Sequence, residues 1–373
     1  MAEAIETVIL TGSAYERGLQ QALQRPELVS QTHAAIHGRL ESIADALSRP
    51  EVASYLKRQF KFIEAHDDDG FQETLGIAHG LSLPHATVLT YLHANVLQDI
   101  LQPKAPMLDG CTSWAMRNTA GGSLVVKNRD YRGEHGVLQQ VFLHVAETLP
   151  GKRMICVGSL GSPGAFSSGM NARGLAVVDT QIGTHDHGVG WLRYFLMTAL
   201  LRQCESVDAA LEMVLSVPHV GGGTLILGDA SGCCASVELG HTVATNVIRS
   251  ETFVAKTNHY LDAALAATMT NRSDDLSLSS VARLRQVQIK LGQRKCEFSL
   301  KNAQELMATH KAGANICSHA NVMDSSSSRT LSSVIYDTAD GALYMTNGNP
   351  CEVPWRQMSF STATITQTFK AFP

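Results

Sequence analysis

The sequence has little charge and lacks long apolar runs. Only 17% of its 373 residues are charged, and the formal net charge is −4. The lysines and arginines are scattered along the sequence. They therefore do not predict the basic surface that binds a nucleic-acid backbone or an anionic membrane. No stretch approaches the ~18 apolar residues that a membrane helix needs. We therefore expect neither nucleic acid nor membrane as a partner.

Secretory and metal-binding signatures are also missing. Acidic residues stand near the N-terminus, where a signal peptide carries positive charge, and the apolar stretch that follows is short. The eight cysteines follow no regular framework, and neither C-x-x-C nor H-E-x-x-H occurs. We expect reduced thiols, a cytoplasmic location, no metal and no cofactor.

What is present is an ordinary globular composition, with 44% hydrophobic residues and 30 glycines. Up to about residue 100 apolar residues recur at three- and four-residue spacing, which predicts helices. The segment 102–109, QPKAPMLD, has the composition of an exposed linker. From Cys111 onward strands, helices, strands, helices and strands alternate in groups, which favours an α+β layered sandwich. We expect a helical region over 1–110 and an α+β domain over 111–373.

The pair Gly110-Cys111 opens the first alternating run of the second domain. If this peptide bond is cut, Cys111 carries both a thiol and an α-amine, whose pKa of about 7.7 to 8.0 suits a general base. The thiol can make the cut itself by attacking the Gly110 carbonyl, and a residue without Cβ tolerates the strained backbone this needs. The competing interpretation is a small apolar residue at the start of a buried strand.

Polar residues at strand ends offer helpers for such a nucleophile. Asn128, Arg129 and Asp130 close the strand that we expect to pair with the Cys111 strand, so the hairpin register can bring Asp130 or Arg129 close to it. Asn258 ends a later strand, and side-chain amides stabilise oxyanions well. Each of these residues has an ordinary structural explanation when taken alone.

The ordered set of motifs is more specific than any one of them. The set comprises DGCTSWAM, KNRDY, GMNARGL, LGDASGCCASVE, AKTNHY, ICSH and TLSSVIYDTADGALYM. Together they resemble the self-processing N-terminal-nucleophile hydrolases that include the isopenicillin N acyltransferases, and more distantly the bile salt and penicillin V hydrolases. The resemblance implies a four-layer αββα fold. It also implies that the helical pro-region stays associated with the catalytic domain after cleavage.

The resemblance implies roles for particular residues. Cys111 matches the nucleophile released by cleavage after Gly110, and Asp130 matches the aspartate that contacts the new α-amine. Asn258 matches the oxyanion-hole asparagine, and Arg329, in SSSSRTLSS, matches a late arginine near the nucleophile.

Three further residues complete the predicted site. Asn171, in the turn GMNARGL, matches an asparagine that lies at the site in the bile salt hydrolases. Arg129 and Tyr131 flank Asp130 and are predicted to contact substrate. Arg129 stands where the penicillin acyltransferases have an aromatic residue, so we do not infer a penicillin substrate for this chain.

These features favour an enzyme that cleaves or transfers the acyl group of a small N-acyl amide through an acyl-thioester on Cys111. An acyl-CoA-dependent N-acyltransferase differs only in the group that captures the thioester. The 15 histidines and the run His185-Asp186-His187 suggest a metal amidohydrolase as an alternative. Against it, H-E-x-x-H is missing and no second His/Asp cluster stands at ligand spacing in the sequence. A binding protein that kept only the fold is the third alternative. A homo-oligomer is compatible with the sequence.

Overall fold

The computed structural model of the chain describes residues 7–101, 110–118, 121–132, 135–270, 274–293, 298–310, 314–319, 328–360 and 362–369. The predicted linker at 102–109 lies outside the described residues. Within the described part of the chain, no helix is long and apolar enough to cross a membrane.

The N-terminal region is helical, as its apolar spacing predicts, and one strand precedes its helices. The first helix is capped at Ser13, whose side chain accepts from the backbone of Glu16 while the Glu16 carboxylate bonds back to Ser13. The strand, β1, was not predicted because the apolar run it contains is short. The elements are β1 (Thr7–Thr11), α1 (Ala14–Gln24), α2 (Val29–Glu41), α3 (Ala44–Leu47), α4 (Pro50–His66), α5 (Asp68–Gly80), α6 (His85–Leu92) and α7 (Ala94–Leu101).

The remainder of the chain contains most of the strands. Those before the central helices are β2 (Gly110–Arg117), β3 (Ser123–Arg132), β4 (Gln139–Val145), β5 (Arg153–Ser159), β6 (Ser168–Asn171) and β7 (Ala176–Thr180). The central elements are α8 (Arg193–Gln203), α9 (Val207–Ser216), β8 (Thr224–Gly228), β9 (Cys234–Glu238), β10 (Asn246–Ser250), β11 (Phe253–Lys256) and α10 (Ala263–Ala266). The last are α11 (Asp274–Gln293), α12 (Leu300–Met307), β12 (Ser328–Asp337), β13 (Ala342–Asn347), β14 (Trp355–Ser359) and β15 (Thr362–Phe369).

The strands form two sheets. The eight-stranded sheet has the order β1-β4-β5-β6-β7-β8-β9-β10, and the seven-stranded sheet has the order β11-β2-β3-β12-β13-β14-β15. Among these strands all pairs are antiparallel except β1 with β4, which is parallel. β1 is therefore an N-terminal strand built into the sheet of the second half of the chain.

Three buried apolar clusters separate four layers. Ala115 and Val125 of the seven-stranded sheet pack against Val141 and Ile155 of the eight-stranded sheet. The outer face of the eight-stranded sheet packs against the N-terminal helices together with α8 and α9. The outer face of the seven-stranded sheet packs against α11 and α12. This arrangement confirms the predicted αββα sandwich.

A polar contact also joins the N-terminal helices to α8. The sequence suggests a solvated loop around Asp67, but this residue caps α5 and is buried. Its carboxylate accepts from Arg202 of α8 at 2.5 Å, in an ion pair whose side chains are 3% and 5% exposed. The prediction of a solvated loop was therefore wrong at Asp67, because the charge of Arg202 on the neighbouring helix α8 compensates its burial.

Candidate active site

The hairpin of β2 and β3 places Cys111 directly opposite Arg129, and Gly110 directly opposite Asp130. This confirms the predicted pairing. Because side chains alternate along a strand, Cys111 lies on the same face as Ser113 and Ala115, which point between the two sheets. Cys111 is 5% exposed.

Asp130 lies against the Gly110 backbone. A Cβ at position 110 would lie 2.8 Å from Asp130 Oδ2, so a side chain there would collide with the carboxylate. The other carboxylate oxygen accepts from Thr330 Oγ1 at 2.6 Å. Burial raises the pKa of Asp130 to about 6, against the opposing effects of Arg283, Thr330 and Lys127. Glycine before the cysteine therefore makes room for a carboxyl group beside the peptide bond between them.

Asn258 holds the Cys111 backbone nitrogen. Its Oδ1 accepts from Cys111 N at 2.9 Å, and its Nδ2 donates to the Gln181 carbonyl at 2.9 Å. The backbone of Asn258 is fixed in turn by Ser280 of α11, whose hydroxyl accepts from Asn258 N at 2.9 Å. The structure thus places Asn258 at Cys111, where its oxygen anchors the nitrogen that cleavage would turn into an α-amine.

Arg283 of α11 is a site residue that sequence reasoning missed. Its guanidinium donates to the Cys111 carbonyl at 2.5 Å, to Thr112 Oγ1 at 2.8 Å and to Asn258 Oδ1 at 2.9 Å. The residue is 5% exposed, and burial lowers its pKa although Asp130 and Cys111 oppose this. A signal exists in the sequence, since Arg283 falls within the helical stripe that also contains the buried Leu284, Val287 and Leu291.

A buried ion network lies on the inter-sheet side of Cys111. Asp179 of β7 accepts from Lys127 and, at 2.6 Å, from Arg193. Burial alone would raise the pKa of Asp179, but these two cations hold it below its usual value. Lys127 also donates to the Ser167 hydroxyl at 2.9 Å. These residues are spread over β3, β7 and α8, so no short motif in the sequence indicates the network.

Cys111 and this network line a cavity of about 70 Å³. The predicted contact residues Arg129 and Tyr131 lie in its wall, and the Arg129 guanidinium is 5.9 Å from the Tyr131 ring centre. A neighbouring cavity of about 430 Å³ shares Arg39, Tyr131 and His135 with the first. The N-terminal helices supply part of the first cavity's wall, namely Arg39, Tyr91, Leu92, Ala94 and Asn95.

Two predicted residues do not line this cavity, although Arg329 pairs with Tyr131 across β12 and β3. Asn171 is buried at the end of β6, where its side chain bonds the carbonyls of Leu201 and Cys204 and the backbone nitrogens of Arg173 and Leu175. It therefore organises a turn against α8 and is not a lining residue of the cavity. Arg329 is exposed at the start of β12, and the next residue, Thr330, is the one that contacts Asp130.

The histidines that prompted a metal-hydrolase alternative are not gathered at Cys111. His185 is exposed. His187 Nε2 lies 3.2 Å from Asp99 Oδ2, and its Nδ1 lies 3.2 Å from the Val220 carbonyl. Chemically, the site combines a thiol, a carboxyl of raised pKa and a cationic cavity wall, which together suit attack on a carbonyl carbon.

Solved structures of low sequence identity resemble the chain. A variant of conjugated bile acid hydrolase from Clostridium perfringens is 15% identical with a TM-score of 0.51, covering 70% of this chain and 98% of that one. Penicillin V acylase from Agrobacterium tumefaciens is 11% identical with a TM-score of 0.40, covering 70% of this chain and 99% of that one. The first likeness shows the N-terminal-nucleophile hydrolase fold.

Sequence comparison identifies the family. No curated protein matches the sequence. The sequence model described as acyl-coenzyme A:6-aminopenicillanic acid acyl-transferase matches residues 117–352, well over half of the chain. The chain therefore belongs to this acyl-transferase family, as an enzyme of the N-terminal-nucleophile type.

Proposed function

We propose that the chain cuts its own Gly110–Cys111 bond and then uses Cys111 to cleave or transfer the acyl group of a small N-acyl amide. The family match begins after Cys111, so this assignment depends on the geometry around that residue. The observation that carries it is that both backbone groups of Cys111 are hydrogen-bonded. The nitrogen donates to Asn258, and the carbonyl accepts from Arg283. Such a double anchor fixes the position of a nucleophile.

Self-cleavage proceeds in two balanced steps. The Asp130 carboxylate lies beside Gly110 and takes the thiol proton as the Cys111 sulfur attacks the Gly110 carbonyl carbon. A C–S bond forms, and the C–N bond to Cys111 breaks as Asp130, whose pKa is raised to about 6, returns that proton to the nitrogen. Water then attacks the thioester, which frees the thiol and leaves a Gly110 carboxylate.

Turnover repeats the same chemistry on substrate. The new α-amine accepts the thiol proton, sulfur attacks the substrate carbonyl, and the leaving amine takes the proton with it. Cations around the cavity stabilise the tetrahedral oxyanion, since buried donors act strongly where water is excluded. The acyl-thioester on Cys111 is then captured by water or by an acceptor amine.

The charge of the cavity wall favours an anionic substrate group. Four cationic residues line it, against the two acids Asp130 and Asp179, and they are Arg39, Lys127, Arg129 and Arg193. The Asp179 carboxylate is engaged with Lys127 and Arg193, whereas Arg129 donates to the neutral side chains of Gln139 and Ser159. An acyl amide that carries a carboxylate fits this wall better than a purely apolar one.

Membership of the acyl-transferase family favours a second candidate, transfer of the acyl group from acyl-CoA to an amine. Both reactions use the same thioester and differ in its acceptor. Release of acid in the absence of amine indicates hydrolysis. Formation of a new amide only when acyl-CoA and amine are both present indicates transfer.

Intact mass of freshly purified protein tests the proposal. We expect fragments 1–110 and 111–373 from the wild type and one uncut, inactive chain from Cys111→Ala. Cys233→Ser is a matched control, because Cys233 lies at the turn between β8 and β9 and is not a lining residue of the cavity. An active Cys111→Ala chain, or a wild type that turns over acyl amides without being cut, contradicts the mechanism.

A further inference from the structure

Four side chains with metal-ligating atoms converge on the outer side of the seven-stranded sheet, away from the residues assigned to catalysis. They are His310, Cys317, His319 and Cys351. His310 follows α12, Cys317 and His319 precede β12, and Cys351 follows β13. We call this group the Cys/His cluster. The absence of short zinc motifs predicted no metal, but here three separate segments contribute the atoms.

The spacing among Cys317, His319 and Cys351 is close to that of three ligands in a tetrahedral site. Cys317 Sγ and Cys351 Sγ are 3.6 Å apart, and His319 Nε2 lies 3.8 Å from Cys317 Sγ and 3.3 Å from Cys351 Sγ. At ordinary zinc bond lengths, tetrahedral ligands are separated by about 3.8 Å between sulfurs and about 3.6 Å between sulfur and nitrogen. The ligand atoms of all four residues lie within 4.8 Å of one another.

The surroundings of the cluster are those of a bound cation. The Nδ1 atom of His319 faces Glu352 Oε1 at 3.3 Å, which leaves Nε2 directed at the two sulfurs. A carboxylate on the far nitrogen is the usual orienting partner of a metal-bound histidine. Asn349 Nδ2 donates to Cys317 Sγ at 3.2 Å, as expected where the sulfur carries negative charge.

We propose that the Cys/His cluster is a structural Zn²⁺ site with two thiolate and two imidazole ligands. Two soft sulfurs and two imidazoles at tetrahedral spacing select zinc over the hard cations magnesium and calcium. Four protein ligands fill the coordination sphere, so the ion is structural and does not activate water. The proposal does not depend on the nucleophile assigned to Cys111.

The site is two hydrogen bonds from Asp130. Ser318, between two of the proposed ligands, donates its backbone N–H to Thr330 Oγ1 at 2.8 Å, and its carbonyl accepts from Thr330 N at 2.8 Å. Thr330 in turn donates to Asp130 at 2.6 Å. Zinc would therefore fix the segment that positions the Asp130 carboxyl, which makes its ligands positioning residues.

Metal analysis of tag-free wild-type protein after gel filtration tests the site. We expect one zinc per chain, and more than about tenfold less in His319→Gln and in Cys351→Ser. Cys233→Ser should keep its zinc, which controls for nonspecific binding by thiols. In metal-depleted wild type, Co²⁺ should give the thiolate charge-transfer and strong visible bands of a tetrahedral site.

The wild-type measurements do not depend on whether a variant folds. Metal-free protein with a Cys317–Cys351 disulfide, detected by mass without reductant, overturns the proposal. Reduced thiols that bind neither zinc nor cobalt overturn it as well. Zinc that is retained fully in both ligand variants places the ion elsewhere and also rejects the site.

Discussion

At the scale of single residues, the sequence and the structure differ over which arginine lies beside Cys111. Arg283 makes three hydrogen bonds around Cys111 and Asn258, whereas the predicted Arg329 is exposed. Arg283 is recognisable as a site residue because it is buried on one face of α11. A comparison of motifs does not show which residues are buried.

We expect Arg283→Met to reduce self-cleavage and turnover by about 100- to 1000-fold, because it removes buried charged donors that orient the nucleophile. Arg329→Ala is the matched control and should stay within about twofold of wild type, since exposed charges contribute little. The rate of appearance of the 111–373 fragment and the rate of amide cleavage are measured. Equal losses in both variants would contradict the placement of Arg283.

The raised pKa of Asp130 predicts how the uncut chain responds to pH. With a folded pKa of about 6 against 3.8 when unperturbed, the folded state binds the proton more tightly. Asp130 therefore contributes stability that is fully present below the unfolded pKa and lost as pH rises through about 6. The shift corresponds to roughly 3 kcal/mol.

Urea unfolding of the single variant Cys111→Ala and of the double variant Cys111→Ala with Asp130→Asn measures this effect. Between about pH 4 and pH 7, the single variant should lose more free energy of unfolding than the double variant, whose amide cannot titrate. Parallel stability curves for the two chains would show that Asp130 has an ordinary pKa.

At the scale of elements, the sequence predicted what local periodicity controls. The three- and four-residue apolar spacing of α1 and α4 is visible within each helix, so it predicts these helices without knowledge of their tertiary contacts. The pairing of β2 with β3 was also predictable, because strands that are neighbours in sequence commonly form a hairpin. β1 was missed because its pairing with β4 connects residues over 130 positions apart, for example Thr7 with Val141.

The residues of the site also fall into two groups, those that local sequence pattern brings together and those that only tertiary contacts bring together. Gly110, Cys111 and Asp130 lie on adjacent strands, so their proximity was predictable from local pattern. Asn258 reaches Cys111 because β11, distant in sequence, pairs with β2. Arg283 and the Lys127–Asp179–Arg193 network meet the site through packing of separate layers. Their meeting depends on tertiary contacts that no spacing along the chain encodes. The Cys/His cluster was overlooked for that reason.

At the scale of the whole molecule, the N-terminal region is part of the fold of the catalytic domain. β1 adds a strand to the eight-stranded sheet, and the buried Asp67–Arg202 pair joins α5 to α8 of the second half of the chain. Helices α1 and α5 cross so closely that a Cβ on Gly18 would lie 2.0 Å from the Glu73 carbonyl oxygen. Cleavage of the single bond between Gly110 and Cys111 breaks none of these contacts.

We expect the 1–110 and 111–373 fragments to elute together on gel filtration after cleavage and to separate only in denaturant. Arg202→Met should lower the denaturant concentration at which they separate, because it leaves the buried Asp67 charge uncompensated, at a cost of roughly 3–5 kcal/mol. Arg173→Met is a control, since the Arg173–Glu205 pair is exposed. Fragments that separate in plain buffer would contradict the association.

The wall of the cavity has a consequence for how selectivity diverges among relatives. Arg39, Tyr91 and Asn95 come from the N-terminal helices, while Cys111 and Asp130 come from the strands. If self-cleavage makes the two parts separate polypeptides, one carries the reacting groups and the other supplies part of the wall around them. Changes in the first part can then alter what fits without disturbing the reacting atoms, so pairing this catalytic part with the helical part of a relative would exchange substrate preference.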